Sequence, residues 1–285
     1  MSLPALALLI VAALLHAGWN LLLKQAGEKY IASWWGIVVS SVICLPILAF
    51  RPPIPAQIWP YLLASAVCEA LYFAALAGAY QVEDFSLIYP LARGGAPALL
   101  AVWSILFLKE TPRPAGLVGL GLVTFGLIVV GSSQLWAARK KNSASAAGLG
   151  LAMLVALFIS IYSAIDGAAV KRADPLVYVI VAFWLTGLFA TPVVLWLYGW
   201  RAVRAQWQAH WPRASAIGVI SLLAYLLVLV AYSFSPVSYV GAIREISIVF
   251  GAIAGWLWLK ERFGPLRTIG AAIIFAGILT ILAAG

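Results

Sequence analysis

Charge is scarce in this chain: 9% of its 285 residues are Asp, Glu, Lys or Arg, against roughly a quarter in an ordinary soluble domain. Cysteine occurs twice, as Cys44 and Cys68, and histidine twice, as His16 and His210. Both cysteines lie inside apolar runs without a CxxC spacing, which leaves no basis for a disulfide framework or a thiolate metal site. The two histidines fall in different regions, so no metal site and no cofactor is expected. GxSxG, HExxH and GxxxxGK[ST] are all missing, which removes the usual hydrolase, zinc-protease and P-loop chemistries. ATP is therefore not the energy source of this chain, and the expectation is that it is not an enzyme.

Hydrophobic residues make up 65% of the sequence and the mean hydropathy is +1.04. Apolar runs of about 20 residues, each enough to cross roughly 30 Å of hydrocarbon, set the number of elements. Their continuity, without period-two alternation, selects helices over a barrel. Ten spans are expected, at about 4–24, 31–50, 59–80, 86–108, 114–136, 147–170, 176–199, 214–235, 238–260 and 265–284. The fold class is thus an all-α membrane protein. The N-terminal stretch has no basic n-region and its apolar span is too long for a signal peptide, so it is taken as a retained first helix.

The segment "AARKKNSASAAG" near the middle is the longest polar stretch and divides the chain almost in half. Shifting one half by 151 residues superposes Lys109-Glu110 on Lys260-Glu261, Pro114 on Pro265, Gly119 on Gly270, Gly126 on Gly277 and Arg93 on Arg244. The expected division is a first repeat over 1–137, a linker over 138–146 and a second repeat over 147–285. With five helices per unit, an odd number, the second copy enters the membrane from the opposite face, as inverted repeats with a binding site between them.

Net charge is +9. The basic residues cluster in short connections, a topological signal that leaves no basic face for nucleic acid. Five of them fall on the side of the termini and eleven on the other, which predicts both termini outside the cytoplasm of a cell inner (plasma) membrane.

The paired ends "FLKETPRPAGLVGLGLVTFG" and "WLKERFGPLRTIGAAIIFAG", with the ten-helix plan and the duplication, resemble the EamA family of the drug/metabolite transporter superfamily. The resemblance covers essentially the whole chain. It implies a transporter of small metabolites with a central cavity built from both repeats; members nearest in character include amino-acid exporters.

Inside the apolar runs stand a few residues that cost about 2.5–3.5 kcal/mol each when charged at mid-span, and these are the functional candidates. Arg93 and Arg244 sit six or seven residues into helices that start on opposite faces. Their guanidiniums are expected at two depths, as stations for an anionic group of the solute. Arg244 lies beside Glu245, and tying helices together through Glu69, Asp166 or Glu245 is the structural alternative.

His16, Trp19 and Asn20 share one face of the first helix, and Glu69, Tyr72, Phe73 and Tyr80 one face of the third. Tyr162 pairs with Asp166 on the sixth, Tyr225 with Tyr232 on the eighth, and Tyr89 precedes Arg93 by one turn. These aromatic residues are candidate lining for a small-molecule solute. Glu69, Asp166 and Glu245 are candidate proton carriers for uphill transport. Lys109-Glu110 and Lys260-Glu261 are taken as architectural, the carboxylate capping a neighbouring helix. The glycine-rich fifth and tenth helices are taken as scaffold or as a homodimer surface in the lipid bilayer.

The expected function is a secondary transporter, an exporter of an amino acid or related small organic anion, working by alternating access. An exporter of organic cations or amines is the alternative within transport. An integral-membrane enzyme acting on a lipid carrier, or a helix-packing subunit, are the alternatives outside it.

Overall fold

The structure is a computed structural model that describes the backbone of residues 1–82, 85–140, 146–250, 253 and 265–284. Side chains are described for these except at 77, 80–82, 85–91, 133–140, 146 and 267. The linker 138–146, most of the span 251–264 and the Lys260-Glu261 pair thus lie wholly or largely outside the described residues.

Every regular element among the described residues is helical. The first is α1 (Leu3–Lys24), whose start is set by Ser2, which accepts a hydrogen bond from the Ala5 amide at 3.4 Å. Next, α2 (Lys29–Cys44) tightens into a 3-10 turn over Leu45–Phe50 where Pro46 removes an amide donor. There follow α3 (Trp59–Val82), α4 (Phe85–Leu106), α5 (Pro114–Lys140) and α6 (Ala146–Ala169).

The seventh element, α7 (Pro175–Phe234), runs for 60 residues and corrects the expected loop at 200–213. Non-helical backbone at Gly199 (φ 70°) and His210 (φ −139°) divides it into three pieces. The outer two, 175–198 and 211–234, are each about 36 Å long at 1.5 Å per residue and can each cross the membrane. The connecting piece is helical because "WRAVRAQWQAHW" places arginines and tryptophans in a helical, amphipathic spacing. Trp200 and Trp211 are exposed, as interfacial aromatics are.

After Ser235-Pro236 come α8 (Val237–Ile243), a turn at Arg244 and Glu245, and a resumed helix over 246–250. Pro265–Ala284, labelled α9 here, closes the chain.

Among the described residues six helical segments, with α7 counted once, are long and apolar enough to cross a membrane, and two shorter apolar helices cover Ala92–Leu106 and Thr268–Ala284. Large apolar side chains such as Leu3, Phe50, Phe107, Trp196 and Phe275 stand exposed on the outer surface, where lipid takes the place of water. The chain is a multi-pass membrane protein.

Glycines set the closest helix contacts. Cβ atoms built on Gly119 and Gly126 would stand 2.8 Å from the carbonyl oxygens of Gly277 and Gly270 respectively. Because 119 meets 277 and 126 meets 270, α5 and α9 cross antiparallel. The shift of 151 turns each of these pairs into the other. Gly119 and Gly126 of α5 and Gly270 and Gly277 of α9 thus face each other within the chain. Gly36 on α2 meets Gly218 on the last piece of α7 still more closely.

The two ends of the bundle carry separate polar clusters. At one end Arg51 pairs with Asp174 at 3.4 Å, Lys171 approaches Glu110 at 3.9 Å, and Arg113 donates to the Ala284 carbonyl. At the other, Arg213 donates to the Gln25 carbonyl and Tyr198 to Glu28. The grouping of these connections by side agrees with the charge count.

Glu110 caps α8, as its place in the sequence suggested. Lys109 takes a left-handed backbone (φ 57°) that ends α4. The Glu110 carboxylate then accepts from the Val237 amide at 2.5 Å, the Ser238 amide at 3.1 Å and the Ser238 hydroxyl at 2.6 Å. Three donors at a helix N-terminus meet one anion. Glu110→Gln keeps the shape but loses charge-assisted bonds, with an expected cost of about 1–2 kcal/mol, read as a lower melting temperature in detergent. An unchanged melting temperature would show that the cap contributes nothing.

Candidate functional site: a one-sided central cavity

A cavity of about 160 Å³ lies between α1, α2, α3, α4, α6, both membrane-crossing pieces of α7, and the turn at Arg244. Its lining falls on one half of α1, α2 and α3 and around the middle of α6 and of both crossing pieces of α7. On α1 it runs from Ala12 to Leu23, on α2 from Lys29 to Ile37, on α3 from Glu69 to Leu76, and on the last piece of α7 from Ile217 to Val228. The lined halves of α1, α2 and α3 point to the end of the bundle that holds Lys24, Lys29 and Arg213. Toward the opposite end the centre is filled by fully buried Leu9, Ile58, Leu62, Ile180, Leu229 and Val240. The vestibule thus opens to one side and stops near mid-span.

At its inner limit the two arginines meet. Arg93 Nη2 lies 3.0 Å from Glu245 Oε2, and Arg244 Nε donates to Glu245 Oε1 at 3.3 Å. Arg244 also donates to Ser163 Oγ at 3.2 Å and to the Tyr232 hydroxyl at 3.5 Å. This corrects the expectation of two guanidiniums at separate depths, for they share one carboxylate. Two features bring them together. The helices that carry them pack against each other, and long arginine stems bridge the remaining offset along the helix axis. The backbone also breaks at 244–245, where i−3 hydrogen bonds replace i−4 bonds at Glu245, Ser247 and Ile248. Neighbouring residues on a regular helix point about 100° apart; the tightened turn lets Arg244 reach the carboxylate next to it.

Arg93 and Arg244 are both on the cavity wall, whereas Glu245 is fully buried behind them. Of the other candidates, His16, Trp19, Asn20, Tyr72, Tyr162, Tyr225 and Glu69 all line the same space. Trp19 Nε1 donates to His16 Nδ1 at 3.3 Å and the Asn20 amide donates to the His16 carbonyl at 2.7 Å, so the first-helix face is braced from within. Tyr162 makes edge contacts with Tyr72 and Tyr225, and the three rings form one aromatic belt.

Glu69 accepts a hydrogen bond from the Thr186 hydroxyl. Asp166 lies fully buried outside the lining and accepts from Tyr178 at 2.6 Å and from Tyr225. Of the proton-carrier candidates, Glu69 alone reaches the cavity; Asp166 orients Tyr225, and Glu245 holds the arginines. The side chains of Tyr80 and Tyr89 lie outside the described residues.

Lys29, Tyr30, Ser33, Phe183, Thr186 and Ser221 also line the space and escaped the sequence reading. Thr186 was recoverable in principle, because a mid-span carboxylate such as Glu69 demands a donor from a neighbour. Tyr30 and Lys29 sit at the mouth, where interfacial position masked their role.

The profile of the EamA-like transporter family matches residues 3–132 and 146–283 of the chain. The pseudopaline exporter CntI of Pseudomonas aeruginosa is 28% identical over 229 residues, 78% of this chain and 74% of that protein. An uncharacterized transporter of Bacillus subtilis, YwfM, is 24% identical over 234 residues, 79% of this chain and 74% of that protein. A crystal structure at 17% identity covers 98% of both chains with a TM-score of 0.76 and shares the fold.

Proposed function

The chain belongs to the EamA-like transporter family, and on that premise we propose that it is a secondary transporter exporting a small metabolite with an anionic group, an amino acid or related organic acid. The architecture in this reading is ten crossings in two inverted five-helix repeats. The self-complementary crossing of α5 and α9, with its pairs exchanged by the shift of 151, supports it. One observation carries the choice of solute: guanidiniums from the matching positions 93 and 244 meet on the wall of one cavity. A planar fork from each half suits a carboxylate. The aromatic belt receives the apolar part of the solute, and Glu69, set among Tyr72, Phe73, Phe183 and Tyr225, receives its ammonium.

The open end is consistent with export. The charge count puts the Lys24, Lys29 and Arg213 end at the cytoplasm, so the cavity stands ready to load from inside the cell. Alternating access then rocks the halves about the arginine pair. Glu69, the carboxylate that faces the cavity, is the candidate for coupling to a proton gradient.

An exporter of organic cations is the second reading, favoured by the same Glu69 among aromatic rings. The two separate on one variant. Arg244→Ala should weaken binding of acids to purified protein at least about thirtyfold, the equivalent of about 2 kcal/mol. Amines tested in parallel should bind as before. Undiminished affinity for acids would remove the leading reading, and binding of amines alone by the parent protein would establish the second. Turnover of a lipid-linked substrate in detergent, without a sealed compartment, would point to an enzyme instead.

A further inference from the structure

We propose that Glu245 sets how much negative charge a solute can bring to the Arg93–Arg244 pair, making it a specificity-determining residue that acts without touching the solute. The inference rests on the reading of the cavity as an anion site. Glu245 is fully buried, contributes nothing to the cavity wall, and engages a guanidinium with each carboxylate oxygen, 3.0 Å to Arg93 Nη2 and 3.3 Å to Arg244 Nε. Its negative charge offsets one of the two positive charges on the wall. An isosteric neutral residue in its place adds one unit of positive charge at the wall, whatever else the arginines touch. At this depth that charge is weakly screened.

The acid belongs to one repeat only. The shift of 151 that carries Arg93 onto Arg244 carries Gly94 onto Glu245, so the first half supplies an arginine and the second an arginine with its own counter-ion. A Cβ built on Gly94 would make ordinary van der Waals contact with Leu127 of α5 at 3.6 Å. The asymmetry makes the wall suited to a single carboxylate or sulfonate. A doubly charged phosphonate or dicarboxylate needs the second positive charge that Glu245 cancels.

The test uses ligands of one shape and two charges. Taurine against 2-aminoethylphosphonate, and benzenesulfonate against phenylphosphonate, are compared at mildly alkaline pH, where the phosphonate is a dianion. Binding to purified full-length protein is measured for the parent, for Glu245→Gln and for Arg93→Gln/Glu245→Gln, each verified as monodisperse. In the parent the sulfonates bind more tightly. Glu245→Gln shifts the affinity ratio toward the phosphonates by at least about tenfold. The double variant, which removes one charge of each sign, returns the ratio to the parental side whatever it does to overall affinity.

A ratio that stays constant across the three proteins, or falls equally for both ligand classes, would mean that Glu245 is only a structural tie and would overturn the inference. Failure of the parent to bind any of the four acids, with amines binding instead, would overturn the anion-site reading itself. If Glu245→Gln does not fold, Glu245→Asp decides: a shorter carboxylate keeps the charge, and a ratio displaced toward phosphonates in that variant would equally sink the proposal.

Discussion

Gly218→Ala is expected to abolish recovery of folded protein, although it adds a single methyl group to a helix. A Cβ at position 218 would collide with the Gly36 carbonyl oxygen and stand 2.7 Å from the Gly36 Cα. Both obstacles are backbone, so no rotamer change relieves the clash, and α2 would have to move away from the last piece of α7 along its length. Overpacking commonly costs about 1–3 kcal/mol where side chains can yield; here none can, and the expected cost exceeds about 3 kcal/mol.

Gly121→Ala is the control. Nothing lies within 4 Å of a Cβ there, and replacing a helical glycine with alanine favours the helix by up to about 1 kcal/mol. Fluorescence-detected size exclusion with a thermal ramp reads both variants. A Gly218→Ala protein that elutes and melts like the parent would show that α2 and α7 are not packed as described.

The second large effect is one of access. With Cys44 and Cys68 replaced, single cysteines at Ser33 and Ser221, both on the cavity wall, are expected to react with a membrane-impermeant maleimide. Single cysteines at Leu9 and Ile180, both fully buried in the filled half, are expected to react at least about tenfold more slowly in the absence of solute. The contrast arises because the lining reaches from the Lys29 end to about mid-span, while the centre beyond it is close-packed. Labelling of 33 and 221 in inside-out vesicles but not in sealed cells would place the opening at the cytoplasm, as the charge count predicts. Equal rates at all four positions would mean that the centre is not sealed and that alternating access from this state is wrong.

Much of the site was legible from spacing. Residues such as His16, Trp19 and Asn20 declared a shared face by helical period, and polar groups in an apolar span must face inward whatever the tertiary arrangement. The partners were not legible. Glu69 could have met Arg93, Arg244 or a hydroxyl, and it meets Thr186; Asp166 could have neutralised an arginine, and it holds two tyrosines instead.

Composition, run length and the internal shift of 151 by themselves determined a helical membrane protein, duplicated, with arginines at matching positions, because burial in lipid forces each span to satisfy its own backbone and so writes itself into local sequence. Tertiary structure alone decided that both arginines converge on Glu245, that the helix breaks at the turn between residues 244 and 245, and that the cavity opens toward Lys29. Those outcomes depend on how helices far apart in the chain cross, and crossing geometry is a property of pairs of surfaces that no single stretch of residues contains.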